Sequence, residues 1–151
     1  MRLVVQRVTR ATVRAGDEVL GEIGAGAVVL VGIGREDDVA TVERMAEKLL
    51  GLRYFTDATG RTNLAIADIG GALLVVSQFT LYADARRGRR PGFTDAAPPE
   101  AAVPLLGRFV ARLREGAVEV ETGRFGAAMT VELVNDGPFT LILDSARDLG
   151  T

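Results

Sequence analysis

Apolar and polar positions alternate along residues 2–14, RLVVQRVTRATVR. Leu3, Val5, Arg7 and Thr9 fall on one face, and Val4, Gln6 and Val8 on the other. A period of two, rich in Val and Thr, predicts a strand. Ala15-Gly16-Asp17-Glu18 predicts a turn, and EVLGEIG the returning strand. Residues 27–34, AVVLVGIG, form a continuous apolar run of strand length, which predicts a strand covered on both faces. The period then lengthens. Val39, Val42, Met45, Ala46, Leu49 and Leu50 recur at helical spacing. Asp37 and Asp38 stand before them as N-caps, and Gly51 stands where a C-terminal glycine is expected. LRYF (52–55) predicts a short strand and TDATGRTN (56–63) a polar loop. ALLVVSQFTLYA (72–83), after the Gly70-Gly71 turn, predicts a long buried strand.

Residues 84–97, DARRGRRPGFTDAA, keep no period and are long for a loop inside a domain, which invites a functional reading. Pro98 and Pro99 open a second helix striped by Ala102, Leu105, Leu106, Phe109, Val110 and Leu113. Pro104 is at odds with a helix interior unless the helix starts or kinks there. AVEVET (117–122), MTVELV (129–134) and FTLILD (139–144) predict three further strands, the last two joined as a hairpin through Asn135-Asp136-Gly137-Pro138. The expected fold class is α+β: a single compact domain over 1–151, with a curved, mostly antiparallel sheet and two main flanking helices.

Composition narrows the chemistry. At 48% apolar and 25% charged residues the chain reads as soluble and globular. No apolar run approaches the ~18 residues of a membrane span, and the start carries no signal-peptide pattern. The expected location is cytoplasmic, with no membrane partner. The absence of cysteine excludes disulfides and thiolate chemistry. The absence of histidine removes the usual general base near neutral pH and most zinc sites. The acids show no ligand-spaced cluster, so neither metal nor cofactor is expected. A net charge of −2 does not advertise nucleic acid, and no DNA partner is expected. Lys48 is the only lysine among 18 basic residues, so the arginine excess reflects overall composition.

Three stretches remain as candidates. Ser77-Gln78-Phe79-Thr80 lies at the end of an apolar strand, where free N–H groups suit a developing oxyanion. An ordinary polar strand end is the plainer reading, and no histidine is present to activate either hydroxyl. Arg86, Arg87, Arg89 and Arg90 place four guanidinium groups in five positions, able to hold phosphates or simply solvated. Gly137-Pro138 is either a plain turn or a cis peptide. Arg7, a charge inside an alternating strand, reads most simply as exposed.

Taken together, VVQRV, SQFTL, GRRPGFTDAAPPE, ETGRFGAAM and NDGPFT resemble the D-aminoacyl-tRNA deacylase family, in order and spacing, from Met1 to about Ser145. The resemblance implies a β-barrel-like sheet with flanking helices. It implies a homodimer with active sites at the interface. The implied activity is hydrolysis of the ester joining a D-amino acid to the 3′ end of tRNA, or glycine mischarged on alanine tRNA. Ser77, Gln78, Phe79 and Thr80 would line the catalytic site. Gly137 and Pro138, within the signature that begins at Asn135, match a cis Gly-Pro that screens out L-amino acids from the partner's side. Arg7 matches the arginine that fixes this motif. Phe125 and Met129 match residues lining the pocket for the terminal adenosine. Arg86, Arg87, Arg89 and Arg90 become candidates for tRNA contact. Two positions depart from the pattern: Gly92 where Ser is frequent, and Phe139 where Val is usual. Two other readings stand beside this one. One is a paralogous deacylase that removes L-alanine from the wrong tRNA, with a trans Gly-Pro. The other is a non-catalytic tRNA-binding module.

Overall fold

In the computed structural model, which describes residues 1–150, eleven elements run in order. They are β1 (Arg2–Ala15), β2 (Glu18–Ile23), β3 (Gly26–Gly32), α1 (Val39–Gly51), β4 (Phe55–Thr56), β5 (Thr62–Leu64), β6 (Ala72–Ser77), α2 (Pro99–Glu115), β7 (Glu119–Thr122), β8 (Thr130–Asp144) and α3 (Ser145–Asp148). The main sheet runs β2-β1-β3-β6-β7, and β8 pairs along β1. Strands β2, β3 and β8 all lie antiparallel to β1, whereas β3–β6 and β6–β7 are parallel. The sheet is therefore mixed, with three antiparallel pairings and two parallel ones. It also curls until its end strands meet: a Cβ on Gly21 of β2 would lie 2.9 Å from the Thr122 carbonyl of β7. Only glycine allows that approach, and the result is a nearly closed barrel.

Two apolar clusters fill the two faces. Leu3, Val5, Val29, Val31, Leu73 and Val75 pack under α1 and α2, against Met45, Leu49, Phe109 and Leu113. Val8, Ala11, Val13, Ile23, Val28, Leu74 and Val76 fill the concave side. β1 serves both clusters because its alternation changes phase. The β1–β8 register shifts on either side of Val8, and inward positions pass from Leu3 and Val5 to Ala11 and Val13. Strict alternation, as expected from sequence, misses this irregularity. Arg7 sits at the shift and is only 8% exposed, so simple exposure is the wrong reading of that residue.

α1 matches its N-cap, where the Asp38 side chain accepts from Thr41 N at 2.8 Å, but Gly51 is the last helical residue and Leu52 takes the C-cap position. Val39, counted in the stripe, faces solvent. α2 contains Pro104, which cannot donate to the Glu100 carbonyl; both residues are exposed, so water can satisfy that carbonyl. LRYF contributes only Phe55 to strand pairing.

Two larger corrections concern the candidate motifs. The strand expected over 72–83 stops at Ser77. Its neighbour β3 ends at Gly32, and the chain coils over that end as a 3-10 turn, Phe79–Tyr82. Gly32 makes room, because a Cβ there would lie 3.0 Å from Leu81 Cβ and 3.2 Å from the Gln78 carbonyl.

The hairpin expected at 135–138 is absent. Residues 130–144 are one long strand, paired to β1 from Arg14↔Thr130 to Arg2↔Asp144. The ladder opens between Val8↔Asn135 and Gln6↔Thr140, and Asp136 to Phe139 bulge out there. Proline has no N–H for the ladder, so the bulge is where it is tolerated. The Asn135 side-chain amide substitutes for lost backbone bonds, donating to the carbonyls of Arg7 (2.8 Å) and Phe139 (3.2 Å).

No peptide bond among the described residues is cis, so Gly137-Pro138 is trans, against expectation. Trans is favoured by about 0.5–1 kcal/mol at X–Pro. Pro138 is exposed, and the bonds that fix the bulge go to Asn135, Asp136 and Phe139, not to the proline.

Candidate functional site

β6 delivers a buried apolar strand to the rim of the barrel and then releases it at Ser77. Beyond that point lies a cleft of about 250 Å³, lined by Val76, Ser77, Gln78, Phe79, Gly126, Ala127, Met129 and Val131. Four residues singled out from sequence, Ser77, Gln78, Phe79 and Met129, thus converge. Gln78 N donates to Val31 O at 2.7 Å, which ties the segment to β3. The Gln78 side chain donates to the Thr80 hydroxyl. Thr80 itself is exposed and is not on the cleft wall.

The 3-10 turn leaves its first N–H groups unused. Those of Phe79 and Thr80 have no hydrogen-bond acceptor among the described residues, while the later ones bond back to Gln78 and Thr80 carbonyls. Two free donors therefore stand at the end of a rigid strand. No residue lining the cleft is ionisable near neutral pH. The cleft can bind and orient; it contains no side-chain base.

The opposite wall comes from the turn before β8. Met129 packs there because Gly123 has no side chain: a Cβ would lie 2.5 Å from Met129 Sδ. Gly126 takes a positive φ of 78°, which brings Gly126 and Ala127 to the wall. Neither was singled out from sequence; the GRFGAAM spacing around Met129 was the available signal. Phe125 points elsewhere: it is exposed and does not line the cleft.

The Arg7 cluster is a second, separate place. Arg7 Nε donates to the Asp136 carbonyl at 3.1 Å, and Nη1 to the Tyr54 carbonyl at 2.7 Å. The Asp136 carboxylate lies 3.4 Å from Nε. Gly137 adopts φ +100°, and a Cβ there would fall 2.2 Å from Arg7 Nη2. Glycine is thus required twice, by conformation and by the approach of the guanidinium. None of Arg7, Asn135, Gly137 or Pro138 lines the Ser77 cleft of its own chain.

The arginine loop closes on itself through an Asp84↔Gly92 bridge. Arg86 grips Asp84 with two bonds of 2.8 Å, and these hold the Asp84 carboxyl well below the usual carboxylate range. Arg87, Arg89 and Arg90 are exposed, with no ion pair among the described residues. Phe93 links this loop to the cleft, meeting Phe79 edge-on at 5.1 Å.

These features can be set beside known proteins. Residues 4–144 match the family model described as D-Tyr-tRNA(Tyr) deacylase. A protein of Symbiobacterium thermophilum named D-aminoacyl-tRNA deacylase is 59% identical over 147 residues, covering 97% of each chain. One of a Roseiflexus species with the same name is 60% identical, covering 97% of this chain and 94% of its own. Among solved structures, one titled c-Myc DNA Unwinding Element Binding Protein superposes with a TM-score of 0.89 at 40% identity, over 95% of this chain and 98% of that one. A probable eukaryotic D-amino acid tRNA deacylase shares the fold, with a TM-score of 0.83 at 17% identity over 94% and 97% of the two chains. Sequence and fold agree, and the chain belongs to the D-Tyr-tRNA(Tyr) deacylase family of ester hydrolases.

Proposed function

We propose that the protein hydrolyses the ester of D-aminoacyl-tRNA, releasing the D-amino acid and free tRNA, and that glycine mischarged on alanine tRNA is a further substrate. The observation that carries this reading is the Ser77–Thr80 segment. It offers free N–H donors of Phe79 and Thr80 beside a cleft with no ionisable lining. An aminoacyl ester is already activated, so oriented donors and exclusion of wrong substrates suffice without a protein base. The ribose 2′-hydroxyl of the tRNA then helps to activate water. The 3′-terminal adenosine enters against Met129, while Arg87, Arg89 and Arg90 hold phosphates.

Two observations support a homodimer. β8 pairs on one side only, leaving a fifteen-residue edge, and Phe79 (57%) and Ile142 (63%) are exposed apolar side chains. The exposed Gly137-Pro138 bulge lies outside its own chain's cleft, which fits insertion at a partner's site. No helix among the described residues is long and apolar enough to cross a membrane; a tRNA substrate fits a cytoplasmic location.

One observation favours a second reading. The trans Gly137-Pro138 bond is the geometry assigned above to the paralogous deacylases acting on L-alanyl-tRNA. The names of the relatives favour the first reading. Incubation with D-Tyr-tRNA and with L-alanyl-tRNA separates them. Release of D-tyrosine alone supports chiral proofreading, and release of L-alanine alone supports the paralog. Hydrolysis of neither leaves a tRNA-binding module.

A further inference from the structure

We propose that Phe139, backed by Tyr54, is a positioning residue: its ring holds the Arg7 guanidinium in one plane and thereby fixes where Gly137 and Pro138 are presented. Its consequence for activity rests on the reading that this bulge screens the aminoacyl group.

Arg7 is the one buried charged residue among those described. Its two hydrogen bonds, to the carbonyls of Asp136 and Tyr54, hold the edge of the guanidinium. They do not stop it tilting out of its plane. Nη2, the nitrogen nearest Gly137, has no acceptor among the described residues. What faces the plane is the Phe139 ring, whose centroid lies 4.8 Å from Arg7 Cζ. That ring stacks on Tyr54 with centroids 6.3 Å apart and planes 27° from parallel. Tyr54 in turn meets Phe55 at 4.4 Å and is 1% exposed, so the wall rests on the core.

The order of contact is therefore core, Tyr54, Phe139, Arg7, Gly137. The Phe139 backbone belongs to the same knot, because its carbonyl accepts from Asn135, which also donates to the Arg7 carbonyl. Phe139 is one of the two positions where the sequence departs from the family pattern, with Val usual. Valine has no π face and is too short to bridge Tyr54 and the guanidinium. Replacing Phe139 would leave both Arg7 acceptors in place but free the tilt, which loosens the Nε–H bond to Asp136 and moves Nη2 against Gly137.

The test compares Phe139→Val and Phe139→Tyr with the parent protein by two readouts. The first is the Arg7 Nε–H signal in a 1H–15N spectrum. In the parent and in Phe139→Tyr it is expected to be shifted by the ring and slow to exchange. In Phe139→Val it loses the shift and exchanges at least tenfold faster. The second is hydrolysis of D-Tyr-tRNA and L-Tyr-tRNA. Phe139→Val is expected to lower kcat/KM for D-Tyr-tRNA about fivefold, the loss of ~1 kcal/mol of cation–π attraction. It should also narrow the D-to-L ratio, and Phe139→Tyr should restore both. An unchanged Arg7 signal in Phe139→Val overturns the proposal whatever the activity. A lowered Tm with an unchanged D-to-L ratio reduces Phe139 to a packing residue and also overturns it. Parent protein that fails to discriminate D from L, with the Arg7 signal behaving as expected, overturns the functional reading and leaves the clamp standing.

Discussion

The two signature segments solve opposite problems. At Ser77–Tyr82 the backbone leaves a regular strand and keeps donors free: Phe79 and Thr80 N–H have no acceptor among the described residues, and the wall around them is open and unionisable. At Asn135–Phe139 the backbone leaves a regular strand and spends its polar groups at once. Asn135 donates twice, the Asp136 carbonyl is taken by Arg7, and a buried guanidinium presses on Gly137. The first segment is built to receive something. The second is built to hold a shape. A catalytic site that works by binding and exclusion needs both, because spare donors give attraction and a rigid obstacle gives selectivity.

Breaking the rigid segment should cost most. Gly137→Ala places a Cβ 2.2 Å from Arg7 Nη2 at φ +100°. Activity on D-Tyr-tRNA is expected to fall by about 10²-fold or more, the scale of a displacement near 1 Å at a reacting site. Circular dichroism should show the fold retained.

The loop is next. Replacing Arg87, Arg89 and Arg90 together by Ala should raise KM about tenfold and flatten its dependence on salt, since each phosphate contact adds to that slope. Arg86→Ala should do less, because Arg86 is already committed to Asp84. That pairing holds the Asp84 carboxyl low. Its stabilising effect is present above the unfolded carboxylate pKa of about 4 and disappears only as pH falls below it. The loop should therefore bind tRNA alike from pH 5 to 8.

How much of this was legible in the sequence varies with the physics involved. Local pattern located β3 and β6 as continuous apolar runs covered on both faces and α1 as a stripe of helical repeat, and the Asp38 cap acts locally. It failed where a distant partner decides. The strand at 72–83 ends early because β3 runs out at Gly32. The supposed hairpin at Asn135-Asp136-Gly137-Pro138 is a bulge because β1 is long enough to pair both flanks. Arg7 looked exposed because nothing local reveals a strand that shifts phase opposite a proline. At the site, Ser77, Gln78, Phe79 and Met129 line one cleft, and Thr80 does not. Phe125 does not line the cleft, and Gly123 and Gly126 matter through room and φ rather than side chains.

The open segment should prove tolerant by comparison. With no ionisable group lining the cleft, kcat should show no bell-shaped profile between pH 6 and 8. An inflection there that persists with N-acetyl-D-Tyr-tRNA, which has no titratable α-amino group, would point to a protein base. Thr80→Ala should retain activity within about threefold, because the donor at that position is the backbone N–H and the hydroxyl lies off the wall. A fall to background with the fold intact would assign the hydroxyl a chemical role. Tyr54→Phe should change least. Among the described residues the buried Tyr54 hydroxyl has no partner, so its removal should raise stability by about 1 kcal/mol, read as Tm, and leave the Phe139 stack in place.

On the proposed reading, an open donor site and a rigid bulge together make a chirality-selective esterase. The most direct measurement of this is single-turnover hydrolysis of D-Tyr-tRNA and L-Tyr-tRNA by the same preparation. D-tyrosine should be released at least about 10²-fold faster than L-tyrosine. Equal release of both, or release of neither, would contradict it.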